Sequence, residues 1–107
     1  MPETLLRLGD PAPVALVRAE AAAPVLITCD HASNRVPRAL ERLGLPQSEL
    51  LRHIGWDIGA AQVAEALAAR LDAPAIFAGY SRLVIDCNRD PADPSSIPEV
   101  SDGTQVL

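Results

Sequence analysis

Residues 24–34 read Pro-Val-Leu-Ile-Thr-Cys-Asp-His-Ala-Ser-Asn. Val25, Leu26, Ile27 and Thr28 form an apolar, β-branched run without polar alternation. Such a run suits a strand covered on both faces, as in a parallel α/β sheet. It ends in a polar cluster of Asp30, His31, Ser33 and Asn34. In open α/β sheets ligands sit beyond the carboxyl ends of the strands, so the strand carries its polar cluster to the usual place for chemistry.

Outward from this strand the pattern alternates helix and strand. Residues 57–71 repeat apolar side chains at helical spacing, with Val63, Leu67 and Leu71 four apart and Ala60, Ala64 and Ala68 beside them. The stripe predicts an amphipathic helix, with Asp57 suited to its N-cap and Asp72-Ala73-Pro74 ending it. Between the strand and this helix, Pro37 starts a short helical piece to about Leu43, Gly44 stops it, and Ser48 caps a second piece through about His53. Two further strands are predicted, at Ala75–Ala78 and at Arg82–Asp86, and a short edge strand at Val14–Val17. The second of these ends in Asp86-Cys87-Asn88-Arg89-Asp90, and residues 91–107, with Pro91, Pro94, Pro98 and Gly103, read as a loop. No internal repeat interrupts the pattern, which predicts an α/β fold.

The chain has 107 residues, enough for one small domain. Hydrophobic residues make up 49% and charged residues 21%, which excludes a disordered tail, a collagen-like fibre and a coiled coil. All nine basic residues are arginine, and the fourteen acids bring the net charge to -5, an unfavourable balance for a nucleic-acid binder. The first ten residues lack the basic start and apolar stretch of a secretory signal, and no run is long enough to span a membrane. Cys29 and Cys87 form no CxxC pair and are expected to be reduced thiols in a cytoplasmic protein.

The polar clusters each admit two readings. His31 either hydrogen-bonds at a strand end or serves as a neutral imidazole ligand to zinc. Asn34 lies three residues on, where many zinc hydrolases place a glutamate, and asparagine is a poorer ligand. Asp57 is either the helix N-cap or a carboxylate that binds a metal or orients its histidine. Arg82 and Arg89 are suited to grip a carboxylate with paired hydrogen bonds, and Arg89 is equally suited to pair with Asp86, Asp90 or Asp93. Cys29, two residues before His31, reads as an inert buried thiol ahead of a nucleophile. His53 reads as a solvated helix residue.

Four stretches in order, VLITCDHASNRVP (25–37), LRHIGWDIGAAQVAEALAARL (51–71), YSRLVIDCNRDP (80–91) and IPEVSDG (97–103), resemble the N-formylglutamate amidohydrolase family. The resemblance implies a three-layer α/β sandwich of the zinc-exopeptidase type with a mostly parallel sheet, related to carboxypeptidases and aspartoacylase-like deacylases. It implies hydrolysis of the formyl or acyl amide of N-formylglutamate, as in histidine breakdown, or of a similar N-acyl amino acid. Zinc would be the cofactor, with His31 a ligand and Asp57 a second ligand or its close support. Asn88 and Arg89 would hold the substrate carboxylate, with Arg82 and Asn34 adding contacts. Members of the family are considerably longer, so residues 1–107 are expected to be the N-terminal part of one domain. A further ligand histidine and a glutamate general base are expected in the C-terminal half. The alternative is a small non-catalytic module that binds an acidic amino acid or a partner subunit. The expected partner is a small molecule, without nucleic acid or membrane, together with self-association through an open sheet edge.

Overall fold

A computed structural model describes residues 5–106. Three strands form the principal sheet: β1 (Val14–Val17), β2 (Ile27–Cys29) and β3 (Ala75–Ala78). Their order is β1-β3-β2. β2 runs parallel to β3, with Ile27 opposite Ala75 and Cys29 opposite Phe77. β1 runs antiparallel to β3, with Val14 opposite Ala78 and Val17 opposite Ala75. The sheet is therefore mixed, which corrects the expectation of a mostly parallel one. The step from β2 to β3 crosses over through a helix and must be parallel, whereas β1 enters from the other side and closes the opposite edge.

Helix α1 (Gln47–Leu50) is a single turn behind Pro46, whose fixed φ starts it without a side-chain cap. Ser48 therefore lies inside this turn and does not cap it. The main helix, α2, covers Ala60–Leu71, and its N-cap is Gly59 in a left-handed conformation. Asp57 is thus not the cap; its carbonyl accepts a hydrogen bond from the Ala60 N–H at 3.0 Å, and its carboxylate is free for other work. The piece after Pro37 is a 3-10 segment, Arg38–Gly44, broken by Glu41, Arg42 and Leu43 at φ 48, 54 and 54. The left-handed turn aims Leu43 into the core, where it is buried.

The stretch predicted as a strand at Arg82–Asp86 is a turn. Ser81 decides it: its Oγ accepts the Leu83 N–H at 3.2 Å and donates to the Gly55 carbonyl at 2.7 Å, while the Val84 N–H binds the Ser81 carbonyl at 3.0 Å. A local hydroxyl thus takes the backbone groups that a strand ladder would use. Leu83 drops into a core with Leu43, Leu45, Leu50, Ile54 and Val106. The expected terminal loop also contains regular structure. Pro94–Ser96 is a 3-10 turn capped by the Asp93 carboxylate, and β4 (Val100–Ser101) and β5 (Thr104–Gln105) make an antiparallel hairpin through Asp102 and Gly103.

A second core joins α2 to the sheet: Ala64 and Ala68 on the helix, and Cys29, Ala75 and Phe77 beneath it. Alanine lets the helix approach closely, so the larger stripe does not make the contact. Val63, Leu67 and Leu71, on the other side of the same predicted apolar stripe, remain 62%, 45% and 52% exposed. No described helix is long and apolar enough to cross a membrane.

Ser81 and Leu83 carry the junction between the 80s segment and the rest of the protein. Leu83→Ala should cost about 2–5 kcal/mol by cavity formation. Ser81→Ala should cost about 1–3 kcal/mol, because the Leu83 N–H and the Gly55 carbonyl lose their partner. Leu8, 98% exposed, serves as the control: Leu8→Ala should stay within about 0.5 kcal/mol. Urea denaturation of the three variants measures all three values.

Candidate active site

β2 ends at Cys29, and the chain turns so that His31 sits just past its carboxyl end. The His31 carbonyl accepts the Asp57 N–H at 3.0 Å, which pins the strand end to the segment leading into α2. The imidazole is 11% exposed and lies between two carboxylates. Nε2 is 2.7 Å from Asp86 Oδ1, and Nδ1 is 3.3 Å from Asp57 Oδ2.

Asp86 is the centre of this arrangement. Its Oδ1 also accepts the Asn88 N–H at 2.9 Å, and its Oδ2 lies 3.5 Å from Arg89 Nε. Burial pushes the Asp86 carboxyl up, but the His31 hydrogen bond, the Asn88 N–H and the charges of His31 and Arg82 outweigh it and hold the pKa below the ordinary carboxyl value. An ionised carboxylate only accepts, so Nε2 carries the ring proton toward Asp86. Nδ1 then faces the Asp57 carboxylate. Two acceptors at that separation repel unless a proton or a metal cation lies between them, and the N and O donors of this pair are compatible with either. With a metal, they would supply two protein ligands, where zinc hydrolases use three. Among the described residues, no cluster of three or more His, Cys, Asp or Glu side chains is arranged to hold a metal ion.

Two depressions flank this centre. A groove of about 600 Å³ is lined by β2, by Asp30, His31, Asp57 and Asn88, and by the near face of α2. A smaller cavity of about 230 Å³ is lined by Arg82, Asp86, Arg89, Ser95, Ser101 and Asp102. Arg82 is anchored by its Nε to the Ile54 carbonyl at 3.1 Å, and its Nη1 stands 3.9 Å from Asp57. Arg89 donates through Nη1 to Ser95 Oγ at 3.0 Å. Arg89 thus pairs with Asp86, and its guanidinium also lines a cavity with a second arginine.

His31, Asp57 and Asn88 come together on the groove, and Arg82 and Arg89 gather on the adjoining cavity. Asn34 does not join them. Its side-chain N–H donates to the Leu50 carbonyl at 3.1 Å, and it lines cavities on other parts of the surface. His53 is exposed, 3.4 Å from Asp102, as a solvated residue would be. Burial, followed by the charges of Asp57 and Asp30, pushes the Cys29 thiol up, the reverse of what a nucleophile needs. The residue overlooked in the sequence is Asp86, weighed there only as a partner for arginine. Its partner His31 lies 55 residues away, so no local spacing marks the pair.

A model of the family described as N-formylglutamate amidohydrolase matches residues 23–107. The crystal structure of a gene product from Agrobacterium tumefaciens is similar to this chain with a TM-score of 0.92 and 35% sequence identity, over 95% of this chain and 40% of that one. The chain thus spans about 40% of the length of that protein. No curated protein matches.

Because the folded pKa of Asp86 is depressed, its contribution to stability is fully present above the unfolded value of about 3.9 and is lost as pH falls through the folded value. Asp86→Asn removes that contribution. The gap in unfolding free energy between the native chain and Asp86→Asn should shrink as pH falls below about 4. Urea melts across this range measure it, and a gap that persists to pH 2 would show that Asp86 acts through shape alone.

Proposed function

The chain belongs to the N-formylglutamate amidohydrolase family, and from that membership we propose that it forms the amino-terminal part of an enzyme that hydrolyses the formyl or acyl amide of N-formylglutamate or a similar N-acyl amino acid. The observation that supports this best is the Asp86 carboxylate, which holds His31 on one side and Arg89 on the other. One acid thereby joins a metal-binding imidazole to an anion-binding guanidinium.

In this reading His31 Nδ1 and Asp57 hold a zinc ion, and Asp86 orients the imidazole through Nε2 and raises its basicity. Zinc, when bound, supplies polarisation of the amide carbonyl and acidification of a water molecule. Arg89 and Asn88 hold the α-carboxylate of the substrate. Arg82 meets a second carboxylate and so favours a dicarboxylate such as formylglutamate. Asn34 contributes through the backbone it braces. The third metal ligand and the general base come from the remainder of a three-layer zinc-exopeptidase sandwich, and the enzyme works in the cytoplasm on histidine-derived or similar small molecules.

Calorimetry of the 107-residue chain with N-formylglutamate tests the anchor. Arg89→Ala should weaken binding at least tenfold, and Arg89→Lys should recover only part of it, since an ammonium lacks the planar fork. In an enzyme completed by the rest of the domain, Arg89→Ala should lower kcat/KM roughly a hundredfold, a loss of about 2.7 kcal/mol. Binding without turnover in that completed enzyme would favour the non-catalytic module.

Zinc uptake by the enzyme completed with the rest of the domain tests the other half. Asp86→Asn should weaken zinc binding by about ten- to a hundredfold, as loss of an orienting carboxylate does elsewhere. His31→Ala should abolish it, and Asn34→Ala should leave it nearly unchanged. Equilibrium dialysis with atomic absorption reads all three, and zinc retained by His31→Ala would place the metal on other residues.

A further inference from the structure

The cavity that holds Arg82 and Arg89 is balanced in charge, because two acids, Asp86 and Asp102, share its wall with the two guanidiniums. Asp86 is engaged on both oxygens: His31 and the Asn88 N–H meet Oδ1, and Arg89 lies near Oδ2. Asp102 comes from the turn of the β4–β5 hairpin, and its carboxylate is held from outside the cavity. Its Oδ2 accepts from Arg52 Nη2 at 2.9 Å and lies 3.4 Å from His53 Nε2. Among the described residues Asp102 makes no ion pair with either cavity arginine. Arg82 instead stands 3.9 Å from Asp57, and Arg89 Nε stands 3.5 Å from Asp86.

Those two contacts are long, so both guanidiniums retain donors for another carboxylate. Released from Arg52, Asp102 would compete for them within a cavity of about 230 Å³. It carries the same chemical group as an acidic ligand and has the advantage of a tether, which raises its effective concentration. Arg52 is fixed in direction, because Nη1 donates to Glu49 and to Thr104 Oγ1 at 2.9 Å. The hairpin does not depend on Arg52 alone for its attachment: Thr104 Oγ1 donates to Glu49 at 3.2 Å, and Val106 is buried with Leu50 and Ile54.

We propose that Arg52 is a positioning residue for ligand binding: it ties Asp102 back, so that Arg82 and Arg89 meet the carboxylate of a ligand and not an acid of their own cavity wall. The inference rests on the reading that this cavity takes a carboxylate of an N-acyl amino acid. It adds a residue that touches no ligand and acts through the acid it restrains.

Calorimetry with N-formylglutamate on the enzyme completed by the rest of the domain tests it. Arg52→Met keeps an aliphatic stem without the guanidinium and should weaken binding roughly tenfold. Adding Asp102→Asn to Arg52→Met should return the dissociation constant to within about threefold of the native value. A guanidinium that merely braced the hairpin would not be replaced by deleting the acid. Ser101→Asp sets a carboxylate on the same wall with no arginine to restrain it, and it should weaken binding by a similar factor, while Ser101→Asn should not. That pair decides the matter if Arg52→Met does not fold by circular dichroism. Unchanged binding in Arg52→Met, or no recovery on adding Asp102→Asn, overturns the proposal, as does Ser101→Asp binding as well as Ser101→Asn. Arg89→Ala separates this failure from that of the reading beneath it. If Arg89→Ala weakens binding and the Arg52 and Ser101 variants behave otherwise than expected, only the positioning role falls. If the native enzyme binds no N-formylglutamate, or Arg89→Ala binds it unchanged, the cavity is not the carboxylate site and both fall.

Discussion

One buried carboxylate joins two parts of the protein that sequence keeps far apart. Asp86 holds the imidazole that follows β2 and, with its second oxygen, the guanidinium three residues on. It also takes the Asn88 N–H, so the turn at 86–89 has its shape because an acid sits inside it. A carboxylate this buried persists only when donors surround it, and the donors here are the very side chains whose positions matter to the site. Replacing Asp86 by an apolar residue would disturb more than one contact: the imidazole would lose its orientation and the arginine its tether.

The two cores are built on different economies of size. Around Ile54 and Leu83 the chain uses branched aliphatic side chains in irregular backbone, and the shape comes from turns fixed by Ser81 and by left-handed residues. Between α2 and the sheet it uses alanine, which permits close approach but buries little area. The second core therefore holds a helix in place with little material, while larger side chains on the same helix stay at the surface.

Those choices explain what could be read from the residues. Ala75–Ala78 and Val14–Val17 are strands where the apolar runs put them, and α2 keeps the periodic segment apart from its first turn. The apolar stripe of α2 was legible, but period alone does not tell which of its sides meets the sheet: Ala64 and Ala68 do, while Val63, Leu67 and Leu71 stay exposed. Arg82–Asp86 has strand-like composition, but one serine hydroxyl before it captures the backbone. In the site, His31, Asp57, Asn88 and Arg89 were recognisable as chemistry-bearing residues. The role of Asp86 was not, because a tether across 55 residues leaves no local spacing to read.

The β4–β5 hairpin closes against α1 around one guanidinium, with Thr104 Oγ1 also donating to Glu49 at 3.2 Å. Arg52 reaches Glu49 at 2.5 Å, Thr104 Oγ1 at 2.9 Å and Asp102 at 2.9 Å. The same hairpin supplies Ser101 and Asp102 to the wall of the cavity that holds Arg82 and Arg89. Arg52 thereby acts as a caliper on a chamber it does not enter. The shape of that cavity therefore depends on how Arg52 places the hairpin, so substitutions at Glu49, Arg52 or Thr104 would alter it with Arg82 and Arg89 left untouched.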